Sequence, residues 1–143
     1  MTRPSSPTTV VGAISAAATA GALVAIGHRA RDTGGAFATI AAVFTRRATG
    51  PVFVGVVLHT VLVFVWSAIC VRLAKRFRSQ VLGALVVGVA NFFVSSLVAA
   101  WAGRGLASEL TLGDRVVYAV VLTVSLIVGM RYAFLHPRET ATS

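Results

Sequence analysis

Charged side chains are scarce in this sequence, and four long stretches contain none at all. They make up 12% of the residues, whereas a soluble domain carries about 25%. The uncharged stretches run from Arg3 to Arg29, from Arg47 to Arg72, from Arg78 to Arg104 and from Arg115 to Arg131. Each of the first three exceeds the roughly 20 apolar residues with which a helix crosses ~30 Å of hydrocarbon. The fourth reaches that length if Arg131 extends towards the interface. Little chain remains for a soluble domain, so the sequence predicts an integral membrane protein.

Acidic residues number only four, and all of them fall outside the apolar stretches: Asp32, Glu109, Asp114 and Glu139. Coupled transport needs a carboxylate or another titrating group within the membrane, and these residues supply none there. The sequence also lacks paired carboxylates in the membrane, a zinc-protease motif and a phosphate-binding loop. We therefore expect no enzymatic activity.

Cysteine occurs once, at Cys70, which excludes an intramolecular disulfide and a cysteine-based metal cluster. Haem ligation by two histidines requires both at matching depth on facing helices. His59 lies inside the second apolar stretch, whereas His28 and His136 fall at helix ends on opposite sides of the membrane. Neither faces His59 within a monomer, so we expect no metal and no cofactor. The exception is a homodimer, in which the two His59 side chains, one from each copy, would together ligate a haem.

The apolar stretches predict an all-α fold, a four-helix bundle forming a single membrane domain over residues 1–143. The expected transmembrane helices are residues 9–27, 51–71, 80–102 and 116–135. The first is expected to be retained rather than removed as a signal peptide, because its apolar run continues beyond the A-x-A site that ends at Ala20.

A shorter helix is expected in the first loop, over residues 36–45. There Phe37, Ile40, Ala41 and Phe44 share one helical face. The segment is too short to span, so we expect an amphipathic helix lying in the interface plane. A continuation of the first helix and a re-entrant segment are the alternatives.

Basic residues at the ends of the apolar stretches give a formal charge of +9. Anionic lipid headgroups are their nearest partner, so we expect a lipid bilayer and no nucleic acid. With four spans, both termini share a side with seven basic residues against six, which places the termini in the cytoplasm. Abundant Ala, Val and Arg with a single lysine favours a bacterial source, and so the bacterial inner membrane. Trp101 and Tyr118 are expected near one interface and Tyr132 near the other.

Small residues recur at a spacing of four in the first and third helices. In lipid, close backbone approach at such residues supplies the packing that the hydrophobic effect does not. The predicted packing positions are Gly12, Ala16 and Ala20, Gly21 in a second stripe, and Ala84 and Gly88.

Polar side chains from all four predicted helices fall at a similar depth. At a rise of 1.5 Å per residue, we count the depth of each residue along its helix from the same side of the membrane. The depths are about 12 Å for His59 and Thr19, about 10 Å for Ser95, Ser96 and Thr123, and about 16 Å for Asn91. Buried polar groups in hydrocarbon need partners. Three interpretations of His59 are open: an interhelical hydrogen-bond clasp, a polar site for a substrate or a proton, and a ligand for haem or a pigment.

The Ala- and Gly-rich first helix, Gly55 four residues before His59, and the Gly-rich start of the third helix form one pattern. It resembles the small four-span bacterial membrane proteins that have no assigned activity. The resemblance implies neither a ligand nor a reaction. We expect a non-enzymatic structural or accessory subunit that packs against a membrane-protein partner or a second copy. A small transporter or channel using the polar layer around His59 is the alternative.

Overall fold

The structure, a computed structural model, describes residues 6–45, 50–102 and 110–135. These residues form five α-helices and no strand, which confirms the all-α prediction. In chain order the helices are α1 (Pro7–Arg29), α2 (Gly35–Thr45), α3 (Val52–Phe77), α4 (Gln80–Ala102) and α5 (Leu112–Leu135). All except α2 are long and apolar enough to cross a membrane.

α3, which corresponds to the second predicted transmembrane helix, is longer than the sequence predicts. It continues past residue 71 to Phe77, because the basic residues that follow the apolar stretch remain helical with their side chains largely exposed. Arg78 then ends it with a left-handed backbone, φ 52°. A basic last turn also suits the negative end of the helix dipole.

α5, the fourth predicted transmembrane helix, begins at Leu112, four residues before the predicted start at Val116. Thr111 explains the early start. Its hydroxyl accepts a hydrogen bond from the Asp114 N–H at 3.2 Å and donates one to the Asp114 carboxylate at 2.7 Å. This cap satisfies one of the N–H groups that the first turn of a helix leaves free.

Each of the four long helices packs against two of the others. α1 contacts α3 and α5, α4 also contacts α3 and α5, and α3 and α5 touch each other only slightly. Most of the main core lies in the half of the bundle nearest the α3–α4 turn. Its fully buried side chains include Val11, Val63, Val87, Leu122, Leu126 and Met130.

Small residues permit close helix contacts at most of the predicted positions. A side chain at Gly12 would overlap the ring of Phe64, and one at Gly88 would overlap the hydroxyl of Thr123. The three predicted alanines are Ala16 and Ala84, which are buried, and Ala20, which is partly buried against the apolar cluster around α2.

Gly21 is the exception among these positions. No described residue outside its own helix lies within 4 Å of where its side chain would be, and Ala17 and Ala25 on the same stripe are also exposed. Gly21 therefore makes no packing contact with another described helix of this chain. Spacings of four are common in any Ala-rich helix, and tertiary contacts select only one of the two stripes.

α2 packs mainly on α3 and to a smaller extent on α1. Phe37, Ile40 and Ala41 from the predicted helical face are buried, and Phe37 and Ile40 cluster with Leu23 of α1, whereas Phe44 is 57% exposed. The short helix thus turns most of its apolar face towards the bundle.

Five of the basic residues that were counted to predict the membrane orientation lie outside the described residues: Arg3, Arg46, Arg47, Arg104 and Arg138.

Candidate functional site

Thr19 and His59 form a buried contact at the predicted polar layer. Thr19 Oγ1 lies 3.0 Å from His59 Nε2, and both side chains are almost completely buried. The Thr19 hydroxyl also donates its one proton to the Ser15 carbonyl at 2.7 Å. We therefore assign the second hydrogen bond as donated by the Nε2–H of His59. This bond joins α1 to α3.

Two aromatic rings lie edge-on to His59. The ring centroids of Phe37 and Tyr118 are 5.8 and 6.1 Å from that of His59. Tyr118 is thus part of the polar site around His59.

The other predicted members of the layer make no hydrogen bond to His59 among the described residues. Ser95 and Ser96 both donate to the carbonyl of Phe92, at 2.9 and 2.8 Å. Thr123 donates to the carbonyl of Ala119 at 2.8 Å. A hydroxyl that bonds back to its own helix is satisfied without crossing to a neighbour. Ser96 also accepts a hydrogen bond from Arg115 of α5. Among the described residues, the predicted layer therefore takes part in two interhelical hydrogen bonds, Thr19–His59 and Arg115–Ser96, while Ser95 and Thr123 bond only to their own helices.

Three buried serines were not anticipated from the sequence. Ser15, Ser67 and Ser125 are at most 6% exposed. Ser67 donates to the Val63 carbonyl at 2.8 Å and Ser125 to the Leu122 carbonyl at 2.9 Å, whereas Ser15 Oγ has no partner among the described residues. Ser15 lies on the same face of α1 as Gly12 and Thr19, at helical spacing. That spacing was the sequence signal from which the burial of Ser15 could have been predicted.

A cleft of about 310 Å³ opens beside this contact. α3 and α4 are close at their turn, where Gly83 approaches the Ala74 backbone, and enclose the cleft further along. α2 and the start of α5 complete its walls. The lining is mostly aliphatic and aromatic, and its polar members are His59, Asn91, Ser95, Arg115 and Tyr118. Asn91 thus faces the cleft and makes no hydrogen bond to another described residue.

Arg115 is the charged side chain of this cleft. Its guanidinium carbon lies 4.7 Å from the ring centroid of Phe92, and its Nη2 donates a hydrogen bond to the hydroxyl of Ser96. Its Nε–H is buried without a partner among the described residues. The sequence assigned this arginine to the interface. The early start of α5 gives it the position from which it reaches inwards.

Among the described residues, no three His, Cys, Asp or Glu side chains come together as a metal site would require. His28 is exposed in the last turn of α1, far along the helix from Thr19, and His136 lies outside the described residues. His59 Nε2, a nitrogen that haem iron would use, faces Thr19.

No family model matches this sequence, and neither a curated protein nor a solved structure matches it. Four of its helices are long and apolar enough to span. The chain is a multipass membrane protein.

Proposed function

We propose that this chain is a non-enzymatic structural or accessory subunit of the membrane, which acts by packing its helices against another membrane component. The observation that carries the proposal is the Thr19–His59 bond. It uses the one histidine inside the apolar stretches to hold α1 against α3. The neighbouring hydroxyls of Ser95 and Thr123 bond to their own helices, and the Ser96 hydroxyl bonds to its own helix and also accepts from Arg115 of α5. Hydrogen bonds that join or brace helices in this way stabilise a bundle.

The outer surface of α4 supports a role in association. Leu85, Val89, Phe93 and Leu97 are exposed and separated by four residues, so they form one apolar stripe along the helix. Such a stripe contacts lipid or another transmembrane helix. Its partner in our proposal is a membrane protein or a second copy of this chain, within a bilayer whose anionic headgroups meet the basic helix ends.

The proposed location is the bacterial inner membrane, with the termini in the cytoplasm. Its support is the composition and the one-residue excess of basic side chains on the terminal side. The likeness to small four-span bacterial membrane proteins without an assigned activity is part of the same proposal.

The variant His59→Leu tests the structural role of the contact. We expect weaker folding and loss of whatever co-purifies with the chain in mild detergent, identified by mass spectrometry. Thr60→Val is the matched control, because Thr60 lies next to His59 but bonds the Val56 carbonyl of its own helix. A His59→Leu protein that folds normally and keeps its partners would contradict the proposal.

Transport is the second candidate function, favoured by the polar side chains that line the cleft: His59, Asn91, Ser95 and Arg115. In sealed vesicles, loss of a flux in His59→Leu with the fold intact would replace the structural role by this one. Haem or pigment binding is tested by the absorbance of the purified protein, where a visible band would support it.

A further inference from the structure

The cleft combines an apolar wall with one inward-facing cation. Arginines near the end of a transmembrane helix usually extend towards the interface. Arg115 instead reaches Ser96 and stacks on Phe92. These two residues lie six and ten residues before the end of α4 at Ala102, or roughly 9 and 15 Å along the helix. The charge is therefore held inside the cleft and not at its outer edge.

Arg115 has no acidic partner among the described residues. The adjacent carboxylate, Asp114, is bound to Arg29 and to Thr111. A guanidinium carries five N–H donors, and among the described residues one of those of Arg115 is engaged, with Ser96. A positive charge in an apolar site is costly unless an anion accompanies it. The arrangement leaves both charge and donors for an anion.

We infer that the cleft binds a free long-chain carboxylic acid, with the carboxylate on Arg115 and the hydrocarbon chain along the α3 and α4 walls. The planar guanidinium suits a carboxylate, which it binds through two parallel hydrogen bonds. The Asn91 amide and the Ser95 hydroxyl line the same cleft. Leu62, Val65 and Trp66 of α3 supply the apolar wall.

Size favours one chain and a small headgroup. The cleft volume of about 310 Å³ lies at the lower end of the range of about 300–1,000 Å³ for small-molecule sites. A carboxylate is small enough to reach the level of Ser96. The headgroup of a two-chain phospholipid is bulkier and remains with its glycerol at the interface. The occupant is therefore a single-chain acid and not a bilayer phospholipid. This inference goes beyond the proposed function and does not depend on it.

The test compares a saturated fatty acid with the alcohol of the same chain length, each displacing a fluorescent fatty acid from the full chain. The protein is held in nanodiscs of zwitterionic lipid, at a pH where the acid is ionised. We expect the acid to bind about tenfold or more tightly than the alcohol, since a charged hydrogen bond contributes that much. Equal binding would overturn the inference.

Two variants test which arginine binds the carboxylate of the fatty acid. Arg115→Gln is expected to abolish the preference for the acid. Arg131→Gln is expected to keep it, because Arg131 is exposed at the opposite end of the same helix. A preference that survives in Arg115→Gln, or that falls equally in both variants, would overturn the assignment to this cleft.

Two measurements on the unaltered protein remain decisive if Arg115→Gln does not fold. A photoreactive fatty acid is expected to label peptides from the cleft walls of α3 and α4, and labelling confined to other surfaces would contradict the inference. Phosphatidylglycerol is expected to compete weakly with the fatty acid. Competition as strong as that of the acid itself would show that the site takes a phospholipid instead.

Discussion

The backbone carbonyl of Phe37 lies directly against the Cα of Gly55, so that α2 and α3 touch through their backbones. A side chain at residue 55 would occupy the position of that carbonyl. Gly55 therefore fixes how closely α2 approaches the bundle. It also places Phe37 against His59, and so connects the first loop to the buried polar contact.

Gly55→Ala is expected to lower the free energy of unfolding by about 1–3 kcal/mol, because overpacking forces the backbone of α2 away. Gly21→Ala is the matched control, since no part of the other described helices lies near that position. The control is expected to stay within about 1 kcal/mol of the parent, on the stabilising side. Unfolding in mixed micelles measures both. Equal losses in the two variants would show that α2 does not pack against Gly55.

Thr19→Val and His59→Leu are expected to be coupled. Hydrogen bonds between transmembrane helices contribute about 0.6 kcal/mol on average, and at most about 1.7 kcal/mol, in double-mutant cycles. We expect a coupling energy in this range from the two single variants and their combination. The cycle of Thr19→Val with Thr60→Val is the control, and its coupling should be near zero. Additive effects in the first cycle would exclude a bond between Thr19 and His59.

Cys70 is expected to be unreactive in the folded protein. Its side chain is 0% exposed and its sulfur lies 3.9 Å from that of Met130. The thiolate is the nucleophile that attacks a maleimide, and an apolar interior disfavours the thiolate. Maleimide labelling should therefore be slow in mild detergent and fast after unfolding. A Cys70→Ala/Arg76→Cys protein, with its thiol on the exposed end of α3, should label in both states. Fast labelling of the native thiol would contradict the packing of α3 against α5.

Four crossings place the start of α1 and the α3–α4 turn on one side of the membrane. In a Cys70→Ala background, single cysteines at Thr8 and Arg76 should react with an impermeant maleimide from the same side of sealed vesicles. A cysteine at Thr33, in the turn after α1, should react from the other side. Labelling of all three cysteines from one side would show that the chain crosses the membrane fewer than four times.

Burial patterns explain why some site residues were predictable and others were not. His59 and Thr19 were found at equal depth because both lie well inside uncharged stretches, where counting from the charged ends is accurate. Tyr118 and Arg115 were assigned to a helix end, and their contacts with His59 and Ser96 were not predicted. α5 begins before its apolar stretch, at the cap that Thr111 makes. A helix end set by a single hydroxyl has little signal in hydropathy.

The sequence alone determined the architecture of this chain. Four uncharged stretches long enough for the hydrocarbon layer admit only helices, since every backbone group in lipid must bond internally. Tertiary structure decided which faces meet: it buried one small-residue stripe of α1 and left Gly21 exposed, joined Thr19 to His59, and turned Arg115 into the cleft. In an Ala- and Val-rich helix all faces are nearly equally apolar, so the sequence does not distinguish lipid-facing from protein-facing positions. That choice depends on the fit between particular side chains on different helices.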